Sequence, residues 1–145
     1  MYKHVLVPTD GSPLANKAFE AAISYAAESG AGITGYYAIE DMNMHHIGAH
    51  LTKALVDEFD KRAREAAEAH GVDAAKAAKA AGVGFEWRTS KTQRPHEGII
   101  AAAQDSGSDV IFMASHGDGS LVGTLLGSVT QKVLSHSKIP VLVLR

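Results

Sequence analysis

Hydrophobic positions along this chain switch between short continuous runs and stripes at helical spacing, and the alternation predicts an architecture. Val5-Leu6-Val7 is a continuous, β-branched-rich run closed by Pro8-Thr9-Asp10-Gly11-Ser12-Pro13, which reads as a strand buried on both faces and then a turn. Ser12 and Pro13 supply an N-cap and a favoured first helical residue; Leu14, Ala18, Ala21, Ala22 and Tyr25 then recur at helical spacing until Gly30. Residues 33–39 are β-rich and predict a second strand, followed by an irregular polar stretch from 40 to about 48. From 49 to about 69, Leu51, Leu55, Val56, Phe59, Ala63 and Ala66 trace one apolar stripe, with Asp57, Lys61, Arg64 and Glu68 outward. Gly71 is expected to break that helix, and 73–81 to continue it or form a second short one. Residues 83 to about 89 predict a third strand, Pro95 to Gly107 a helix, 109–115 a fourth strand, Ser128–His136 a last helix and Val141–Leu144 a fifth strand.

Strict alternation of strand and helix calls for right-handed crossovers onto a parallel sheet with helices on both faces, since each apolar helix stripe must cover a strand face. The class is therefore α/β, a single doubly wound domain over residues 1–145. Ligands of such sheets bind beyond the carboxyl ends of the strands, where strand order reverses. Strands one and four end in the two most turn-rich segments, so if they are neighbours both turns meet at one crevice.

Composition narrows the function. The chain has 145 residues, 46% of them hydrophobic, enough for one substantial core. Its 14 basic and 16 acidic residues leave a formal charge of -2 with no long run of either sign, so no broad field favours nucleic acid or an anionic membrane. Cysteine is absent, which excludes disulfides, thiolate metal sites and a cysteine nucleophile and fits a reducing compartment. Every apolar run is far shorter than the ~20 residues of a membrane helix, and the start resembles no export signal. A cytoplasmic location is the expectation.

The chemistry concentrates in residues 113–128, which leave a buried strand, cross a glycine-rich loop and enter a helix. Glycines let backbone N–H groups approach oxygen atoms, and the start of the helix at Ser128 adds unpaired donors and partial positive charge. Phosphate can sit there without any lysine. Ser128 with Gln131 three residues on also fits a plain capping box, and Asp10 an ordinary turn aspartate bonding its own backbone. A Walker A loop is absent, because no lysine follows these glycines, and Gly117-Asp118-Gly119 reaches its third glycine, Gly123, one residue late for a dinucleotide fingerprint.

The spacing Ala114, Gly117, Gly127, Ser128 resembles the pattern of ATP-binding members of the universal stress protein family: Gly, two residues, Gly, nine residues, then Gly followed by Ser or Thr. The resemblance extends to residues 5–12, to Leu126-Gly127-Ser128-Val129-Thr130 and to Pro140-Val141-Leu142-Val143. It implies five strands in the order 3-2-1-4-5, a homodimer, and ATP or a related adenine nucleotide between the ends of strands one and four. By the same resemblance Asp10 would accept from the ribose hydroxyls, and Pro8, Thr9, Ala38 and Met113 would border the adenine. Gly117, Gly127, Ser128 and Thr130 would hold phosphates through backbone and hydroxyl donors, with Val129 adding its N–H. Two positions depart from the pattern. Ala114 adds a methyl where the first glycine stands, and Asp118 replaces a frequently basic residue with a carboxylate that repels polyphosphate. AMP and ADP therefore stay open beside ATP.

His45, His46 and His50 cluster in the loop after strand two, but no carboxylate or cysteine completes an obvious metal set, and a solvated loop is the expectation. Met42 and Met44 share that loop; exposed methionines can form an adaptable contact surface, and core packing is their commoner use. His116 follows strand four without an identifiable partner. The C-terminal strand has no helix after it in this sequence and should form a sheet edge where two copies pair antiparallel. With no general base, lysine clamp or metal-ligand set, the expected function is a nucleotide-binding regulatory or stress-response dimer, read by an unknown signalling partner, with slow hydrolysis at most. The alternatives are a slow ATPase with Mg²⁺ on the phosphates and a partner-binding dimer without nucleotide affinity.

Overall fold

The computed structural model describes residues 1–41, 52–117 and 125–145. Its elements are β1 (His4–Pro8), α1 (Pro13–Ser29), β2 (Gly32–Glu40), α2 (Lys53–Ala80), β3 (Phe85–Thr92), α3 (Pro95–Asp105), β4 (Val110–Ala114), α4 (Ser128–His136) and β5 (Val141–Leu144). The strands make one sheet of five in the order β3-β2-β1-β4-β5, all neighbours parallel. The expected topology is the observed one. The residues around His45, His46, His50, Met42 and Met44, and around Asp118, Gly119 and Gly123, lie outside the described residues.

β1 occupies the middle of the sheet, and its run is continuous because both faces are covered. Val5 and Val7 pack with Phe19, Ala22 and Ala26 of α1 and Ala78 of α2. Leu6 packs on the other side with Ile99, Ala102 and Ala103 of α3 and Val133 of α4. β4 divides in the same way, Val110 and Phe112 to the first cluster and Ile111 and Met113 to the second. Each fully buried side chain of this kind contributes roughly 1.5–3 kcal/mol of transfer free energy. The Asp109 carboxylate sets the register of the two strands by accepting the backbone N–H of Lys3 at 2.9 Å and of His4 at 3.0 Å. Burial pushes that carboxyl up, but the donated amides outweigh it and hold it below the ordinary 3.8.

α1 starts and stops as expected: the Ser12 side chain accepts the Ala15 N–H, Pro13 stands at the first helical position, and Gly30 ends the helix at φ 74°. α2 corrects two expectations. It is one helix of 28 residues running through Gly71, and its packed seam is not the large apolar stripe. Leu55 and Phe59 are half exposed, while Ala67, Gly71 and Ala78 are buried. At Gly71 the neighbour is the indole of Trp87 on β3: a Cβ there would lie 2.6 Å from its Cδ1 and Nε1. A helix laid over a tryptophan needs small residues beneath it, so Gly71 serves packing rather than termination. β3 also runs to Thr92, three residues past its expected end, because β2 pairs with it in register as far as Glu40 opposite Thr92.

Gly71→Ala separates the two accounts of this glycine. Helix propensity alone predicts a gain of about 1 kcal/mol, whereas overlap with the Trp87 indole predicts a loss of about 1–3 kcal/mol. The structure requires the loss, read as a lower midpoint in urea denaturation.

Candidate functional site

β1 is hydrogen-bonded to β2 on one side and to β4 on the other, so the chain order of the sheet reverses between β1 and β4. A cleft of about 240 Å³ opens there, at the carboxyl ends of the strands. Pro8, Thr9 and Asp10 leave β1 into it, Ala38 belongs to β2, Met113, Ala114 and Gly117 come from β4 and its exit, and Val129 and Thr130 from the first turn of α4. The structure therefore brings to one cleft nine of the residues singled out from the sequence. Gly127 and Ser128 are the N-cap and first residue of α4, directly before Val129.

The β1–α1 turn is closed by its own side chains. Thr9 Oγ1 accepts the Gly11 N–H at 3.0 Å, and Asp10 Oδ1 accepts the Ser12 N–H at 2.9 Å, so Asp10 is a turn aspartate as well as a cleft residue. A Cβ on residue 117 would overlap Asp10 Oδ2. Gly117 is thus the position that lets the two sides of the cleft approach. Across the cleft, Gly127 donates its N–H to the Ser115 carbonyl at 2.7 Å, and buried Thr130 donates its hydroxyl to the Ala114 carbonyl at 2.9 Å. Both bonds lash the start of α4 to the end of β4. No capping box forms: the N-cap is Gly127, without a side-chain cap, and Gln131 Nε2 donates to the Leu126 carbonyl. The first-turn N–H groups of Ser128, Val129 and Thr130 have no carbonyl four residues back within the helix, and they give this end of the cleft its positive character. Asp10 is the one carboxylate among the described lining residues, and no lysine or arginine joins it.

A family model described as the universal stress protein family matches residues 1–145. The chain belongs to that family. A universal stress protein of Thermus aquaticus is 32% identical over 145 residues, covering both chains in full. Universal stress protein MJ0577 of Methanocaldococcus jannaschii is 51% identical over a stretch of 51 residues, 35% of this chain and 32% of that one. A solved structure of MJ0577 matches 99% of this chain and 96% of its own with a TM-score of 0.84 at 29% identity. A universal stress protein solved in complex with cAMP is 28% identical, with a TM-score of 0.71 over 99% of this chain and 97% of its own.

This universal stress protein also lines its cleft with residues the motifs do not announce. Tyr36 and Tyr37 on β2, Ala15 on α1, and Pro95 and Ile99 on α3 all reach it. Only helix packing brings α3 there, and no spacing in the sequence signals it. His116 lines the cleft too, and it has a partner: its Nδ1 lies 3.0 Å from Ser115 Oγ. Behind Pro95, buried His96 lies against His136 at the end of α4, ring centroids 5.3 Å apart, joining the two helices that wall this side. Desolvation lowers the His96 value from 6.5; His136, Lys132 and Arg94 push the same way and Glu97 opposes them.

A base held below its unfolded value binds fewer protons folded than unfolded, so this contribution is lost as pH falls through 6.5 toward the folded value. Thermal midpoints measured from about pH 7.5 down to about pH 5 should therefore fall more steeply for the wild-type protein than for His96→Leu.

Proposed function

We propose that this universal stress protein binds an adenine nucleotide, ATP, ADP or AMP, in the cleft between β1 and β4, and that it acts as a homodimeric stress-response regulator with slow hydrolysis at most. The observation that carries the reading is the convergence of the Asp10 turn and the first turn of α4 on one cleft whose other walls are largely apolar. A base, a ribose and a phosphate need three different surroundings in that order. Pro8, Thr9, Ala38 and Met113 offer the base an apolar border, Asp10 offers the ribose hydroxyls an acceptor, and Ser128, Val129 and Thr130 offer phosphate their amides. Gly117 and Gly127 serve by letting the walls close, since the Gly127 amide is given to Ser115. Because the described lining carries no lysine or arginine, Mg²⁺ would ride on the phosphates and offset their charge. The cAMP complex of a 28% identical relative supports the same ligand class.

The dimer rests on the edge of the sheet. Pro140 and Leu144 turn their carbonyls to β4, accepting from Ile111 and Ser115, so the backbone groups of Val141 and Val143 point to the open side of β5. Leu142 on β5 and Leu134 on α4 are exposed near that edge. An antiparallel β5–β5 pairing would satisfy the open groups of both copies.

Asp10→Ala should weaken nucleotide binding in calorimetry by about tenfold or more, the worth of hydrogen bonds to a charged acceptor. If wild-type protein gives no heat with ATP, ADP or AMP, the partner-binding alternative without nucleotide affinity replaces this reading. Turnover by the wild-type protein that Asp10→Ala abolishes would instead favour the slow ATPase. Val143→Pro removes an outward amide without touching the β4 ladder, and analytical ultracentrifugation should show it shifted from dimer to monomer.

A further inference from the structure

We propose that His70 is a positioning residue of the nucleotide cleft, holding in place both the turn that presents Asp10 and the ring of Tyr37. This rests on the nucleotide reading above and adds to it a residue that no motif includes. His70 lies on α2 (Lys53–Ala80), a helix of the β2 and β3 side, and at this point α2 meets Tyr37 and the β1–α1 turn. Its imidazole is stacked on the Tyr37 ring, with centroids 5.3 Å apart and planes 18° from parallel. The edge of the same imidazole faces the β1–α1 turn: a Cβ on residue 11 would lie 2.5 Å from His70 Cε1 and 2.7 Å from Nε2. Residue 11 is a glycine at φ 81°, and it stands between Asp10, whose Oδ1 accepts the Ser12 amide, and that amide.

The imidazole therefore fills a slot with two working walls. Tyr37 and Asp10 both line the cleft, and each leans on His70 directly or through one glycine. A flat ring fits this slot, because it stacks face-on against Tyr37 and presents only its edge to the turn. Removing the ring empties the space under the turn. The turn then loses the packing beneath Gly11, and the Asp10 carboxylate loses its fixed angle toward the ribose.

The test is the ratio of dissociation constants for 2′,3′-dideoxy-AMP and AMP, measured by calorimetry. AMP carries the base, ribose and first phosphate common to all three candidate nucleotides, and the dideoxy analogue lacks only the groups assigned to Asp10. In wild-type protein the ratio should be about ten or more. In His70→Ala it should fall at least threefold, with the larger loss in the affinity for AMP and a smaller one for the dideoxy analogue through the loosened Tyr37 ring. His70→Gln, which keeps a flat group of similar reach, should restore most of the ratio. Tyr37→Leu removes the stacking face from the other side and should lower the ratio as well, which keeps the test open if His70→Ala does not fold. An unchanged ratio in the folded variants, or equal weakening of both ligands, overturns the positioning role alone. Wild-type protein that binds neither ligand overturns the nucleotide reading and this inference with it.

Discussion

The pairing of β1 with β4 is the constraint on which the rest of this molecule depends. Both strands are short and buried on both faces, and parallel neighbours cannot be joined by a tight turn, so the chain leaves the end of each strand and returns through a helix packed on the sheet. That crossover puts helices on both sides and leaves the two carboxyl ends adjacent and open. The amides of Lys3 and His4 on the Asp109 carboxylate fix the register at the opposite end of the pair. The cleft is therefore a consequence of sheet order before it is a consequence of any side chain.

Within that frame, shape is set by where side chains are missing. Trp87 takes the space that a side chain on residue 71 would fill, and Asp10 the space beside residue 117. In each case the glycine belongs to one element and the group that uses its room to another. This gives Gly71 a packing role inside the helix: the Trp87 indole occupies the room that a side chain there would need. It also explains why the Gly117 and Asp10 sides of the cleft approach each other closely.

Membership of the universal stress protein family, shown by a match along all 145 residues, agrees with the physical reading without replacing it. The family resemblance named Gly127 and Thr130 as phosphate holders. In the structure the Gly127 N–H and the Thr130 hydroxyl are given to the Ser115 and Ala114 carbonyls, which fastens α4 to β4, so in the proposed binding mode Thr130 contributes its amide rather than its hydroxyl. The same residues remain at the site, with the chemistry divided differently among them.

The sequence by itself determined the element order, the caps of α1 and the doubly buried strands, because these are written in local features: runs of β-branched residues, a serine before a proline, a glycine after a helix; the nine expected residues that line the cleft came from the family resemblance. Tertiary structure alone decided which face of α2 is packed, that β3 extends through Ser90 and Lys91, and that Pro95, Ile99 and Tyr37 reach the cleft. Those outcomes depend on residues far apart in the chain meeting in space. The half-exposed Leu55 and Phe59 and the buried Ala67, Gly71 and Ala78 show the limit of periodicity: a hydrophobic stripe states that a helix has an apolar side, while the surface it packs on, at Gly71 a tryptophan, decides which residues are buried.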